Sequence, residues 1–408
     1  MTMALDLDSG ATQRLRRYIE RLGGLLKDRR KRESFAIYAL GILAEGERKS
    51  VEPIAARACG DPDQTRRMHE KLLHFVGGSE WNDAAVRLEA ARHVCQAMAE
   101  REPVTTWVVD DTGFLKQGRH SVGVQRQYTG SAGKITNCQI GVSLEIATAS
   151  QHAPIDFELY LPEGWVNDPE RRVQARIPEE VTFQSKPELA LAMIERAKRA
   201  GIPGEILLAD SGYGENNGFR RSVRELGLDY AVGIQSQTKV RRVGSTGRLG
   251  TALSVGEVAK TIPHRRRRML RWREGTRATL EGRFSFCRVK TTHADGVPIE
   301  EREAVWLVIE WRSDDDPTPK FYLTTLPRRM SHKQLVRIIK ERWRTERMYE
   351  DLKGELGLDH FEGRSFVGWH HHVSVVLCCY AFVVAEQMRA FPPSSRGQSF
   401  DPSLENAA

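Results

Sequence analysis

The chain has 408 residues, 40% of them hydrophobic, and a formal charge of +8. That length supports two or three domains with a sizeable core. No apolar run reaches the about 20 residues of a membrane span, and the N-terminal stretch shows no secretory-leader pattern. The six cysteines include no Cys-x-x-Cys pair, which argues against structural zinc or a disulfide framework and for reduced thiols in the cytoplasm.

Residues 1–95 read as a helical domain. Tyr18, Leu22, Leu25 and Leu26 recur at helical spacing, as do Phe35, Tyr38, Ala39, Ile42 and Leu43. Asp61-Pro62-Asp63 reads as a helix start and Gly77-Gly78-Ser79 as a break. The block Lys27 to Arg32 is basic, so this domain is a candidate DNA reader, although it carries no clear helix-turn-helix pattern.

Strands follow. Val104 to Val109 is apolar and ends in acid, Ser121 to Tyr128 alternates, and Gln139 to Ala147 is a third run. Phe157 to Pro162 is a candidate short strand, and 163–185 reads as an irregular connection. Helix 187–200, strand Glu205 to Ala209, a Gly-rich turn at 211–214, helix Arg220 to Leu226 and strand Tyr230 to Ile234 then alternate as in an α/β layer. Residues 237–330 turn to short β runs at 278–280, 283–289, 304–311 and 320–325, with turns such as Asp314 to Pro317. Residues 331–390 are helical again, and the Pro- and Ser-containing tail 391–408 reads as disordered. Its apolar run Val373 to Ala385 reads as a buried helix.

Three acids stand out. Asp110 and Asp210 each end an apolar strand, where sites tend to form in α/β sheets, and Glu346 lies on a basic helix near the end. Three such carboxylates can hold two Mg²⁺ ions, with Mn²⁺ able to substitute, and two ions so placed cut and join phosphodiesters. Singly, an Asp at a strand end is more often a turn or helix cap. Glu350 is an alternative third acid, one helical turn past Glu346. The clusters Lys27 to Arg32 and Arg265 to Arg268 suit a polyanion.

In these residues the chain resembles the DDE transposases of bacterial insertion sequences, in the insertion sequence 4 superfamily and nearest the insertion sequence 701 family. The last catalytic helix of that group carries Tyr, two residues, Arg, three residues, Glu, six residues, Lys. Arg342, Glu346 and Lys353 fit this spacing, while Ile339 stands at the Tyr position. The segments 110–118, 208–214 and 354–364 resemble family blocks. The resemblance implies an α/β fold, with a ribonuclease H-like catalytic domain (96–236 and 331–390) holding a β-rich insertion (237–330). It implies Asp110, Asp210 and Glu346 as catalytic, metal-holding acids, and Arg342 and Lys353 as phosphate clamps on one helical stripe.

Further DNA contacts are assigned to Lys116, Tyr213, Arg266, Arg268 and Trp272, with Trp306 and Trp311 as other candidates for stacking on a flipped base. The expected partners are double-stranded DNA, as terminal inverted repeats and target, and a second copy on the paired ends. No membrane partner is expected, and the location is the bacterial cytoplasm at the nucleoid. A same-fold nuclease that does not join ends, and a non-catalytic DNA-binding protein, remain the alternatives. His370-His371-His372 are expected at the surface or on DNA, and Trp343 in packing.

Overall fold

A computed structural model describes residues 8–274, 279–293, 297–312 and 318–390. The tail from 391 and the Asp314–Pro317 turn therefore lie outside the described residues. The chain opens with helices α1 (Ser9–Gly24), α2 (Arg29–Leu43), α3 (Val51–Ala58), α4 (Pro62–Leu73) and α5 (Asp83–Ala99). Asp8, Asp28 and Asn82 each accept a hydrogen bond from a backbone N–H of the first turn of α1, α2 and α5. Asp61 does the same for α4, with Pro62 at the first helical position, as the sequence predicts.

Strands β1 (Thr106–Leu115), β2 (Gln125–Thr129), β3 (Lys134–Ala147) and β4 (His152–Tyr160) come next. The strand expected at 157–162 thus begins earlier, at His152. The connection expected to be irregular carries two short helices, α6 (Glu163–Val166) and α7 (Pro169–Ala175). Then follow α8 (Lys186–Arg199), β5 (Ile206–Ala209), α9 (Ser211–Gly214), α10 (Asn217–Glu225) and β6 (Asp229–Ile234). The next run is β7 (Lys239–Val243), β8 (Leu249–Ser254), α11 (Val255–Lys260), β9 (Arg268–Glu274), β10 (Thr279–Thr291), β11 (Val305–Trp311) and β12 (Lys320–Thr324). Helices α12 (His332–Lys340), α13 (Trp343–Gly354) and α14 (Phe366–Ala390) close the described chain. The fold is mixed α/β.

The chain forms two compact units. The first comprises the segment up to residue 105, residues 111–203 and the segment from 344 on; the second comprises 106–110 and 204–343. Helices α1 to α5 thus share a unit with α14. In that unit β2, β3 and β1 are neighbours in this order, and β4 also pairs with β3, from Ile140↔Tyr160 to Ala147↔His152. Helix α14 packs against α5, α2 and β4. By length and composition α14 could cross a membrane, yet 72% of its most apolar window is buried inside the fold, as befits a core helix.

The three adjacent histidines are buried in this helix, a correction to their expected exposure. His370 Nε2 lies 3.2 Å from Glu158 Oε2. His371 stacks on Trp81 with centroids 4.1 Å apart. His372 is bracketed by the Tyr38 hydroxyl at 2.8 Å and Gly357 O at 2.9 Å. Sequence periodicity could not reveal these distant partners, which satisfy ring nitrogens that would otherwise need solvent.

A charged cluster ties α5, β4, α8 and α14 together. Arg87, only 4% exposed, donates to Asp83, to Asp156 Oδ1 at 3.2 Å and to Ser374 Oγ at 2.8 Å. Arg196 Nη2 donates to Asp156 at 2.7 Å and to Glu158 at 2.6 Å. Burial alone would raise Asp83, but Arg87 beside it holds its carboxyl below the usual range.

In the second unit the order is β1-β5-β6-β12-β11-β10-β7-β8, with β9 also paired to β10. β1, β5 and β6 are parallel, whereas β12 joins β6 antiparallel, Phe321↔Ile234 to Thr324↔Ala231. Strands within 237–330 therefore continue the sheet of β5 and β6. Residue 278 lies outside the described residues, and the rest of the runs expected at 278–280 and 283–289 belong to one strand, β10, while β7, β8, β9 and α11 were not legible.

Candidate active site

β1 and β5 bring the first two acids level. Their register runs Thr106↔Ile206, Trp107↔Leu207, Val108↔Leu208, Val109↔Ala209, so Asp110 of β1 and Asp210, the residue just past the end of β5, each follow the last paired position. Residues level on parallel neighbours face the same side, and their successors the other. Asp111 accordingly pairs elsewhere, with Lys186 Nζ at 3.1 Å. The register thus favours Asp110 over Asp111 as the partner of Asp210.

Each acid is held. Arg342 Nη1 donates to Asp110 Oδ2 at 2.6 Å, with the Asp110 side chain 14% exposed. Asp210 Oδ1 accepts from Gly212 N at 2.8 Å and caps α9, so the cap role expected of a lone strand-end Asp is present here too. The Gly-rich turn at 211–214 is this single helical turn.

Glu346 is exposed on the first turn of α13, in the other unit. Glu350 is exposed as well, with Arg347 Nη1 3.5 Å from its Oε2. The expected single stripe needs correction. Arg342 lies in the turn at 341–342 between α12 and α13, and Ile339 is buried in α12. The 3.6-residue periodicity runs through this break unchanged, so the sequence hides it. Trp343, expected in packing, is 41% exposed at the start of α13.

Lys353 sits on α13 and donates to Thr112 Oγ1 and to Gly113 O, both at 2.8 Å, and burial lowers its pKa. Lys116 is half-buried and donates to Phe361 O at 2.7 Å. Tyr213 is 1% exposed, its ring 5.9 Å from Phe219. Of these three, Tyr213 is buried, while Lys116 and Lys353 keep part of their surface exposed.

Arg266 and Arg268 are exposed, and Arg268 Nη1 lies 3.1 Å from His332 Nδ1. Lys340 Nζ stands 5.1 Å from the Trp272 ring, and Arg267 Cζ stands 3.6 Å from that of Trp311. Arg288 Cζ is 5.0 Å from the Trp306 ring. Cations over aromatic faces keep both groups extended and near solvent. Basic and aromatic side chains thus interleave on β9, β10, β11 and α12.

Carboxylate oxygens are hard donors that suit Mg²⁺, and the strand expected to end at Asp110 instead runs on to Leu115, with Asp110 in its middle. No three His, Cys, Asp or Glu side chains are gathered in metal-holding proximity among the described residues.

One group of residues went unread in the sequence. Glu145 is fully buried on β3 and accepts from Thr345 Oγ1 of α13 at 2.9 Å. Its signal was an acid flanked by Leu144 and Ile146 in an apolar strand.

A family model described as DDE superfamily endonuclease matches residues 21–279, and one described as Transposase DDE domain matches residues 185–382. A probable transposase for insertion sequence element IS701 from Microchaete diplosiphon is 29% identical over 220 residues. That match spans 54% of this chain and 53% of the relative, about half the length of each.

Proposed function

The chain belongs to the DDE superfamily endonuclease family, and from that premise we propose that it is a DNA transposase that cuts at the ends of an insertion sequence and joins the freed 3′-OH ends to target DNA. The observation that supports the reading is the parallel pairing of β1 with β5 up to Val109↔Ala209, the residues just before Asp110 and Asp210.

In this reading Asp110, Asp210 and Glu346 hold two Mg²⁺ ions. Bound there, the ions supply Lewis-acid activation of the attacking water or 3′-OH and stabilise the leaving oxygen. The protein's own groups position the DNA. Arg342, paired with Asp110 at 2.6 Å, exchanges that carboxylate for a phosphate when DNA and metal arrive. Lys353 braces β1 through Thr112 and Gly113 and adds positive potential beside the scissile phosphate.

Arg266, Arg268 and Trp272 serve as an electrostatic and stacking surface for the DNA end. The substrates are the element's terminal repeats and target DNA, the working form is a dimer on paired ends, and the place is the bacterial cytoplasm at the nucleoid. The ribonuclease H-like assignment of residues 96–236 and 331–390 belongs to the same reading, supported by the parallel β1-β5-β6 core.

The test is cleavage of labelled duplexes carrying the DNA that flanks the gene, in Mg²⁺. Wild type should nick at the element ends. Glu346→Gln should bind the same duplex and lose activity by about a hundredfold or more, the magnitude expected for a lost metal ligand or its support. Equal cutting by both proteins would transfer the role to Glu350. Cutting without joining to an unlabelled target would make the protein a nuclease only.

A further inference from the structure

Helix α13 is fastened to β3 by directional bonds. Thr345 and Tyr349, one turn apart on its buried face, meet Glu145 and Ser143, two residues apart on one face of β3. Thr345 Oγ1 donates to Glu145 Oε2 at 2.9 Å. Ser143 Oγ donates to Glu145 Oε1 at 3.2 Å, which leaves the Tyr349 hydroxyl to donate to Ser143 at 2.6 Å. His152 Nδ1 lies 3.3 Å from Glu145 Oε2. Ser143, Glu145 and Thr345 are 0% exposed, His152 3% and Tyr349 9%.

Burying a carboxylate is costly even when it is paired, and apolar replacements of the same volume are often neutral or stabilising. Packing α13 onto the sheet did not require an acid here. What a buried network of directional bonds adds is one preferred geometry, since slippage leaves a buried carboxylate oxygen unmet. The residue after Thr345 is Glu346, which shares its peptide unit and faces solvent.

We propose that Glu145, acting through Thr345, is a positioning residue that sets the place of the Glu346 carboxylate for metal binding. The proposal rests on the reading of Glu346 as a metal-holding acid. It gives α13 a fixed rather than a merely packed first turn.

The experiment is a Mn²⁺ titration of the full-length protein followed by electron paramagnetic resonance of the free ion. Thermal unfolding and duplex binding are recorded on the same samples. Thr345→Val should weaken Mn²⁺ binding about tenfold, as loss of a partner supporting a ligand does. Thr345→Ser, which keeps the hydroxyl, should restore it. Duplex binding should be unchanged in both. In a Glu346→Gln background, Thr345→Val should cause no further weakening.

Mn²⁺ binding unaffected by Thr345→Val, or additive losses in the double variant, would overturn the positioning role while leaving the cleavage reading intact. Unchanged binding in Glu346→Gln would remove Glu346 from the site and the positioning role with it. Should Thr345→Val fail to fold, Tyr349→Phe removes a single hydroxyl at the second attachment and must shift Mn²⁺ binding in the same direction.

Discussion

Around Asp210 two glycines matter through what a methyl group would strike. A Cβ on Gly214 would stand 2.0 Å from Gly233 O, and one on Gly233 would stand 3.0 Å from Ser211 N and 3.3 Å from Asp210 C. Helix α9, which Asp210 caps, therefore lies directly on the backbone of β6 at Gly233 and against the Val232 side chain, leaving no room for a side chain at Gly214. Gly214→Ala should destabilise the protein by about 1–3 kcal/mol through forced backbone displacement, and, if the proposed role of Asp210 holds, cleavage should fall with it. Gly164→Ala, whose Cβ meets nothing within 4 Å, is the control and should leave the thermal midpoint unchanged. Equal midpoints for the two variants would show that α9 yields freely.

Among the elements, the ties that count most are those made by Arg87. It is 4% exposed and reaches acids on its own helix and on β4 as well as Ser374 on α14. Arg87→Met would leave Asp83, Asp156 and Glu158 with less compensation, and removing one partner of a buried charged group costs about 3–5 kcal/mol. Arg196 shares two of those acids, but its side chain is 40% exposed, so Arg196→Met should cost about 1 kcal/mol. Urea unfolding of both variants checks the ranking.

How much of this the sequence revealed depends on the range of the cause. The caps at Asp61 and the apolar runs ending at Asp110 and Asp210 were legible because their signals lie within a few residues. The extra strands β7, β8 and β9 were not: β7 and β9 are Arg-rich and only partly buried, and β8 is a short run of mostly small residues, so all three look like solvated loops. The α12–α13 break was hidden by unbroken periodicity. Glu145, His370, His371 and His372 were unreadable in role because their partners lie far along the chain, from Tyr38 to Tyr349. The acid pair was legible as residues, but its alignment required the β1–β5 register.

For the molecule as a whole, acid sensitivity follows from the buried imidazoles. Burial lowers His372 to about 4, and His371 and His93 likewise to about 4. A histidine whose folded-state pKa lies below its unfolded value contributes stability that is full above pH 6.5 and is lost as pH falls from 6.5 toward 4. For fully buried His372 the loss approaches about 3 kcal/mol. The urea midpoint should therefore drop steeply between pH 6.5 and 4.5. His372→Gln should be less stable at pH 7 and show a shallower slope, and parallel curves would assign the acid response to other groups.

Neither compact unit is contiguous in the chain. The first is completed only by residues from 344 on, among them α14, against which α5, α2 and β4 pack. On the ribosome the early helices and β4 must therefore wait, their apolar faces uncovered, until that last long helix emerges. A chain that stops before residue 366 lacks α14, and with it the helix against which α5, α2 and β4 pack.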